Sequence, residues 1–160
     1  MSNKRVKMMP RAIKPIIVSE PDTKCDFTYY DEKDIGIVLS EWEGSKICIR
    51  RPLDYGPHEP FLVSILEHLP DEICNIEIYF TNNDGDPWFK FDNGEFEVAG
   101  PVPHKFWNLL FFRERVDQIV LNANYLSNKY TNECIKDIES SSLEVVRKTK
   151  KNRHTFIHLK

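Results

Sequence analysis

The chain has 160 residues, of which 41% are hydrophobic and 12% aromatic, and its formal net charge is −3. This length is typical of one domain, and the apolar content excludes a disordered polymer because it allows a sizeable core. No run of about 18 apolar residues suggests a spanning helix, and no secretion signal follows the basic N-terminus, so we expect an intracellular protein, cytoplasmic or nuclear.

Residues 1–15 are predicted to form a flexible basic arm. They carry five Lys or Arg and no acid, and Pro10 and Pro15 interrupt them before any apolar period begins. Residues 16–160 are predicted to follow as a single α+β domain. Its C-terminal segment, residues 145–160, repeats the charge pattern of the arm, with six Lys or Arg and no acid.

The first half of the domain is predicted to be rich in strands. Charged or glycine-containing turns separate short β-prone runs and favour an antiparallel meander. A loop rich in Pro and Gly follows over 52–60. Apolar residues at helical spacing predict a helix over 61–69, and alternation over 74–81 predicts a half-buried strand. The β-prone runs are 16–18, 27–30, 35–39 and 46–50.

A hairpin over 89–98 is the strongest local pattern. Asn93-Gly94 supplies the two residues with positive φ that a type I′ turn requires. We expect its aromatic face to pack beneath a helix, although aromatic residues on a sheet can also stack on nucleic-acid bases. The register set by this turn gives the pairs Phe91 with Phe96, Phe89 with Val98, and Lys90 with Glu97.

Helices are predicted to cover the sheet. An apolar stripe over 109–126 predicts a long helix, and a second is expected over 132–139. After Ser140–Ser142, either two strands over 143–149 and 155–159 or a helix continuing to Lys151 fits the pattern. The fold class is therefore α+β, with an antiparallel twisted sheet of about five to seven strands against two or three helices.

The basic C-terminal segment has two interpretations. It forms a solvated tail or folds back onto the acidic body of the chain, or it engages a polyanion, either nucleic acid or an anionic membrane surface. The acidic body of the chain and its pI of about 6.0 argue against a dedicated nucleic-acid domain. The candidate nucleic-acid-binding residues are Arg147, Lys148, Lys150, Lys151 and Arg153.

The sequence indicates no cofactor and no metal site. It lacks a phosphate-binding Gly motif, and the polar turn over 82–86 does not follow the order of a calcium loop. His154 and His158 have the spacing of zinc ligands only on a helix. Four isolated cysteines, at positions 25, 48, 74 and 134, are interpreted as separate buried thiols.

These patterns favour a non-enzymatic protein that binds a protein partner or itself. Trp42, Tyr55 and Trp88 are candidate interface anchors because they lie in or near predicted loops. One alternative is a nucleic-acid-associated protein that uses its basic ends. Another is an enzyme whose site is assembled from distant residues, with His58, His68 and His104 as candidates. The scarcity of Ala beside abundant Ile, Asn and Lys indicates an AT-rich genome, as in viruses, phages or low-GC bacteria.

Overall fold

A computed structural model of the chain describes residues 17–18, 25–29, 35–52, 58–80 and 87–160. They belong to two compact units, Met1–Pro87 and Trp88–Lys160. The predicted basic arm lies outside the described residues. The first unit contains β1 (Ile17–Val18), β2 (Phe27–Tyr29), α1 (Ile35–Ser40), β3 (Lys46–Arg51), α2 (Glu59–His68) and β4 (Asn75–Phe80).

Strands of the first unit are arranged in the order β1-β2-β3-β4. Among the described strands of this unit, β1 and β2 pair antiparallel, whereas β2 with β3 and β3 with β4 are parallel. A helix lies between the partners of each parallel pair, as a crossover connection requires. The α+β class is therefore confirmed, but the sheet is mixed, and the antiparallel meander predicted for this half is wrong.

The error begins at 35–39, a run predicted as a strand that forms α1. Ile35, Val38 and Leu39 are buried at the i, i+3 and i+4 spacing of one helical face. A Cβ at Gly36 would lie 3.0 Å from the His68 ring, so α1 and α2 pack closely here. A short apolar run fits either a strand or a helix, and tertiary packing decides between them.

The second unit contains β5 (Phe89–Asp92), β6 (Glu95–Val98), a 3₁₀ helix (His104–Asn108), α3 (Leu110–Arg115), β7 (Gln118–Leu121), α4 (Asn128–Glu139), β8 (Val145–Lys151) and β9 (His154–Leu159). Its strand order is β5-β6-β7-β9-β8. Strands β6 and β7 are parallel, and the other neighbours are antiparallel. The 89–98 hairpin is confirmed with the predicted register, and Asn93 and Gly94 have φ of 47° and 98°.

The long helix predicted over 109–126 is wrong. Instead, α3 ends at Arg115, and the chain turns into β7. Ile119, Val120 and Leu121 are all buried, so the two faces of this strand are both covered. A central strand that is buried on both faces has a continuous run of apolar residues. Such a run also contains apolar residues at the spacing of an amphipathic helix, so the sequence pattern predicts a helix here.

The predicted second helix is confirmed as α4, which begins four residues earlier than expected. The Ser127 hydroxyl accepts a hydrogen bond from the Tyr130 backbone N–H and caps its N-terminus. After α4, the chain forms the β8–β9 hairpin, which decides between the two alternatives for 143–160. The continuous helix to Lys151 is therefore wrong.

An aromatic cluster fills the core of the second unit around Phe96. The side chain of Phe96 is fully buried, and its ring lies 4.9 Å from Phe112 and 5.1 Å from Phe89. The hairpin aromatics thus pack beneath the 3₁₀ helix and α3 as expected. No helix within the described residues is long and apolar enough to cross a membrane.

Candidate functional site

The β8–β9 hairpin brings together most of the exposed cations in the C-terminal segment. Register places Arg147 beside His158, Thr149 beside Phe156, and Lys151 beside His154. Paired residues on neighbouring strands project to the same side, so these six form one surface, called the hairpin face below. It is opposite to the side on which Ile157 is buried, in register with Ile119 and Phe96.

The five predicted nucleic-acid-binding residues do not lie on one face of the hairpin. Arg147 and Lys151 belong to the hairpin face. Lys148 and Lys150 pair with the buried Ile157 and Thr155 and so project toward the helical side of the sheet. The Lys148 ammonium lies 2.5 Å from a Glu139 carboxylate oxygen on α4, and this exposed ion pair offsets part of its charge.

Arg153 lies in the two-residue turn between β8 and β9. Asn152 and Arg153 have φ of 53° and 68°, in the left-handed region that favours glycine. Asn tolerates this conformation well, but a long side chain such as Arg is uncommon there. The turn therefore displays an exposed guanidinium at the tip of the hairpin at some conformational cost.

Phe156 lies at the centre of the hairpin face and is only half-buried. It pairs with Val120 of β7 and Thr149 of β8. On either side along β9 are His154, whose Nδ1 accepts a hydrogen bond from the Ala123 N–H, and His158, whose Nε2 is 3.4 Å from the Thr149 hydroxyl. An aromatic ring is thus partly accessible between cations, at a position that no sequence pattern indicates.

Carboxylates limit this basic region on the side of β6. The pairing of β9 with β7 and of β7 with β6 places His158 in line with Gln118 and Glu95. The same pairing places Phe156 in line with Val120 and Glu97. Three strand spacings separate β6 from β8, about 14 Å at roughly 4.8 Å each. A polyanion is therefore favoured along the β8–β9 edge and disfavoured across the sheet toward β6.

The three candidate interface aromatics have different positions. Trp42 is 7% exposed and donates its indole N–H to the Lys46 carbonyl oxygen, 3.0 Å away. Trp88 is half-buried and donates to the Pro101 carbonyl oxygen at 3.1 Å. Tyr55 lies outside the described residues. The indole groups of Trp42 and Trp88 are thus held by their own chain, which leaves Trp42 little surface for a partner.

The three candidate catalytic histidines each have a separate environment. His58 precedes α2, and its ring centroid lies 4.0 Å from that of Phe80. His68 ends the same helix and contacts the Ser64 carbonyl oxygen. Because His58 and His68 lie at opposite ends of α2, about 15 Å of helix separates them. His104 lies in the second unit, where its Nδ1 is 2.7 Å from a carboxylate oxygen of Asp137. This contact raises the pKa of His104.

The remaining chemical candidates do not form a site among the described residues. The predicted polar turn over 82–86 lies outside them. His154 and His158 are on strand β9, about 13 Å apart along it at roughly 3.3 Å per residue, which is too far for one metal ion. No group of three or more His, Cys, Asp or Glu side chains that could hold a metal occurs within the described ranges.

Comparison with known proteins gives no matching family model, no similar curated protein and no similar solved structure.

Proposed function

We propose that this protein binds single-stranded nucleic acid along the β8–β9 edge. The observation that carries the proposal is the placement of a half-buried Phe156, part of which is accessible, between Arg147 and Lys151 on the hairpin face. Proteins that bind single strands combine cations that contact phosphates with aromatic rings on which bases stack. A duplex keeps its bases stacked on each other, so a ring on a sheet favours single strands.

The spacing of the cations fits a short stretch of backbone. Arg147 and Lys151 are four residues apart on β8, about 13 Å at roughly 3.3 Å per residue. Arg153 extends the line of positive charge to the tip of the hairpin. Phe156 lies on the neighbouring strand between these ends, so a base can stack on it while flanking phosphates contact the cations.

The experiment is an anisotropy titration of labelled oligo-dT and oligo-U at several salt concentrations. With three phosphate contacts, the slope of log K against log salt is expected to be about −2, because each contact on a single strand contributes roughly −0.7. Affinity then falls about 20-fold between roughly 50 and 200 mM salt. No binding, or binding that does not change with salt, contradicts the proposal. No binding at any salt concentration would leave the protein-interface hypothesis as the remaining prediction.

Two matched variants separate the hairpin face from general positive charge. R147A/K151A removes two cations from the face, and K148A/K150A removes two from the same strand on the other side. We expect the first variant to reduce the magnitude of the slope by about 1.4 and the second to change it much less. Equal losses in both variants would mean that the face has no special role.

A third variant tests the stacking contribution. F156L keeps the apolar volume but removes the aromatic ring, and stacking on one ring contributes about 1–3 kcal/mol. Affinity should therefore fall by about 5- to 150-fold, while the salt slope stays unchanged because no charge is lost. Anionic lipid vesicles serve as a further ligand. Binding to vesicles that is insensitive to F156L, without oligonucleotide binding, would assign the basic edge to a membrane surface.

A further inference from the structure

Two cysteines of the first unit, far apart in sequence, meet at the beginning of β2. The Sγ atoms of Cys25 and Cys48 lie 2.6 Å apart, although 23 positions separate the residues. Cys25 immediately precedes Asp26 and β2, and Cys48 lies within β3. The sequence, in which these cysteines form no CxxC motif, predicts separate buried thiols instead.

The backbone holds the two residues together independently of the sulfur atoms. The Asp26 N–H donates to the Cys48 carbonyl oxygen at 2.8 Å, and the Cys48 N–H donates to the Asp26 carboxylate at 2.8 Å. The parallel pairing of Phe27 with Ile49 continues this contact into the sheet. These backbone contacts therefore fix residue 25 next to β3. The proximity of its thiol to Cys48 follows from the backbone and not from the side-chain rotamer alone.

We propose that Cys25 and Cys48 form a reversible intramolecular disulfide when the protein meets a disulfide oxidant such as oxidised glutathione. Cys48 reacts first because it is half-buried, whereas Cys25 is 5% exposed. The Cys48 thiolate attacks one glutathione sulfur and releases one glutathione thiolate. The Cys25 thiolate then attacks the Cys48 sulfur and releases the second. The protons of both protein thiols pass to the two glutathione molecules, which leave reduced.

The surroundings of the pair disfavour the thiolate form of Cys48. Contact with Cys25, burial, and the carboxylates of Glu77 and Asp26 all raise the pKa of the Cys48 thiol. Glu77 is the register partner of Cys48 on β4. The reduced pair is therefore as uncharged at neutral pH as the disulfide, so these carboxylates penalise neither end state and act only on the thiolate. Their repulsion of the thiolate slows exchange, whose rate follows the thiolate fraction.

The proposal is tested on the folded full-length protein incubated with oxidised glutathione, acid-quenched, unfolded and alkylated. We expect two of the four cysteines to escape alkylation, and a non-reducing peptide map to link the Cys25 peptide to the Cys48 peptide. Dithiothreitol should restore all four alkylations. The reaction should accelerate about tenfold per pH unit, because the thiolate fraction rises by that factor.

Matched variants identify the pair. C74S/C134S leaves both reacting thiols in place and should oxidise like the native chain. C48S should give no intramolecular disulfide. Complete alkylation after oxidation, or a map that links any other two cysteines, would overturn the proposal. The map of the native chain decides this outcome even where a serine variant fails to fold.

Discussion

Replacement of Gly100 by Ala is expected to destabilise the second unit through a steric clash. Gly100 is buried, and a Cβ at this position would lie 2.3 Å from Trp88 Cε2 and 2.5 Å from Cδ2. Carbon atoms in contact prefer about 3.5–4.0 Å, so one of the two groups must move by more than an ångström. The indole is held by its hydrogen bond to the Pro101 carbonyl oxygen and cannot move freely.

The size of the effect follows from two opposing contributions. Overpacking of this kind costs about 1–3 kcal/mol. Ala has a lower conformational entropy than Gly in the unfolded chain, and this difference stabilises the folded state by about 0.4–1 kcal/mol. The gain applies here because Gly100 does not have a positive φ, so Ala can adopt the same backbone conformation. We therefore expect G100A to lower the free energy of unfolding by about 1–2 kcal/mol, which corresponds to roughly 3–6 °C in Tm for a chain of this size.

Urea denaturation followed by circular dichroism measures this change, and a double-mutant cycle assigns its cause. W88L removes the ring that the new methyl group would meet. In the W88L background, G100A should therefore be neutral or slightly stabilising, which gives a coupling energy of about 1–3 kcal/mol. An unchanged free energy of unfolding in G100A, or the same loss in both backgrounds, would refute the steric argument.

Three other variants test separate features. R153G should raise the free energy of unfolding by up to about 1 kcal/mol, because it removes the left-handed strain at the hairpin tip. It should also reduce the magnitude of the oligonucleotide salt slope by about 0.7, because one cation is lost. R153K is the control that keeps both the strain and the charge. S127A removes the cap on the Tyr130 N–H and should cost about 1 kcal/mol of stability in urea denaturation. D137N should lower the pKa of His104, measured by imidazole NMR titration, because the raised value depends on this carboxylate. Since the folded pKa is raised, the contribution of the pair to stability is present below the unfolded pKa of His104, about 6.5, and is lost as pH rises through the folded value.

Local patterns predicted the structure wherever neighbouring residues alone determine it. The 89–98 hairpin has its predicted register because the Asn93-Gly94 turn and the alternation of side chains require the same pairing. Short apolar runs were ambiguous. The run over 35–39 became a helix, and the stripe over 109–126 was divided between α3 and β7, since burial on one face or on two depends on partners elsewhere in the chain.

The candidate site was predicted as a group of charges but not as a surface. Its five cations lie within seven residues, yet their division between two faces depends on strand geometry, and a helix remained a possible alternative. The Asn152-Arg153 turn lacks the glycine that would have favoured a hairpin. Phe156 gave no signal of its own, because one aromatic residue in a strand pattern is ordinarily part of the core.

Among the described strands, β8 is the last in its sheet and has one neighbour, β9. Such an edge offers backbone hydrogen-bonding groups to any second strand, and proteins protect it with lysines, bulges and twist. The exposed lysines of β8 and the register shift between Val145 and Arg147, where Val146 is 62% exposed, provide this protection. Basic side chains here thus have a second consequence: they repel another copy of the same edge. Removing several of these basic residues is expected to favour edge-to-edge aggregation. Nucleic acid that neutralises their charge would reduce the same repulsion between two copies of the edge.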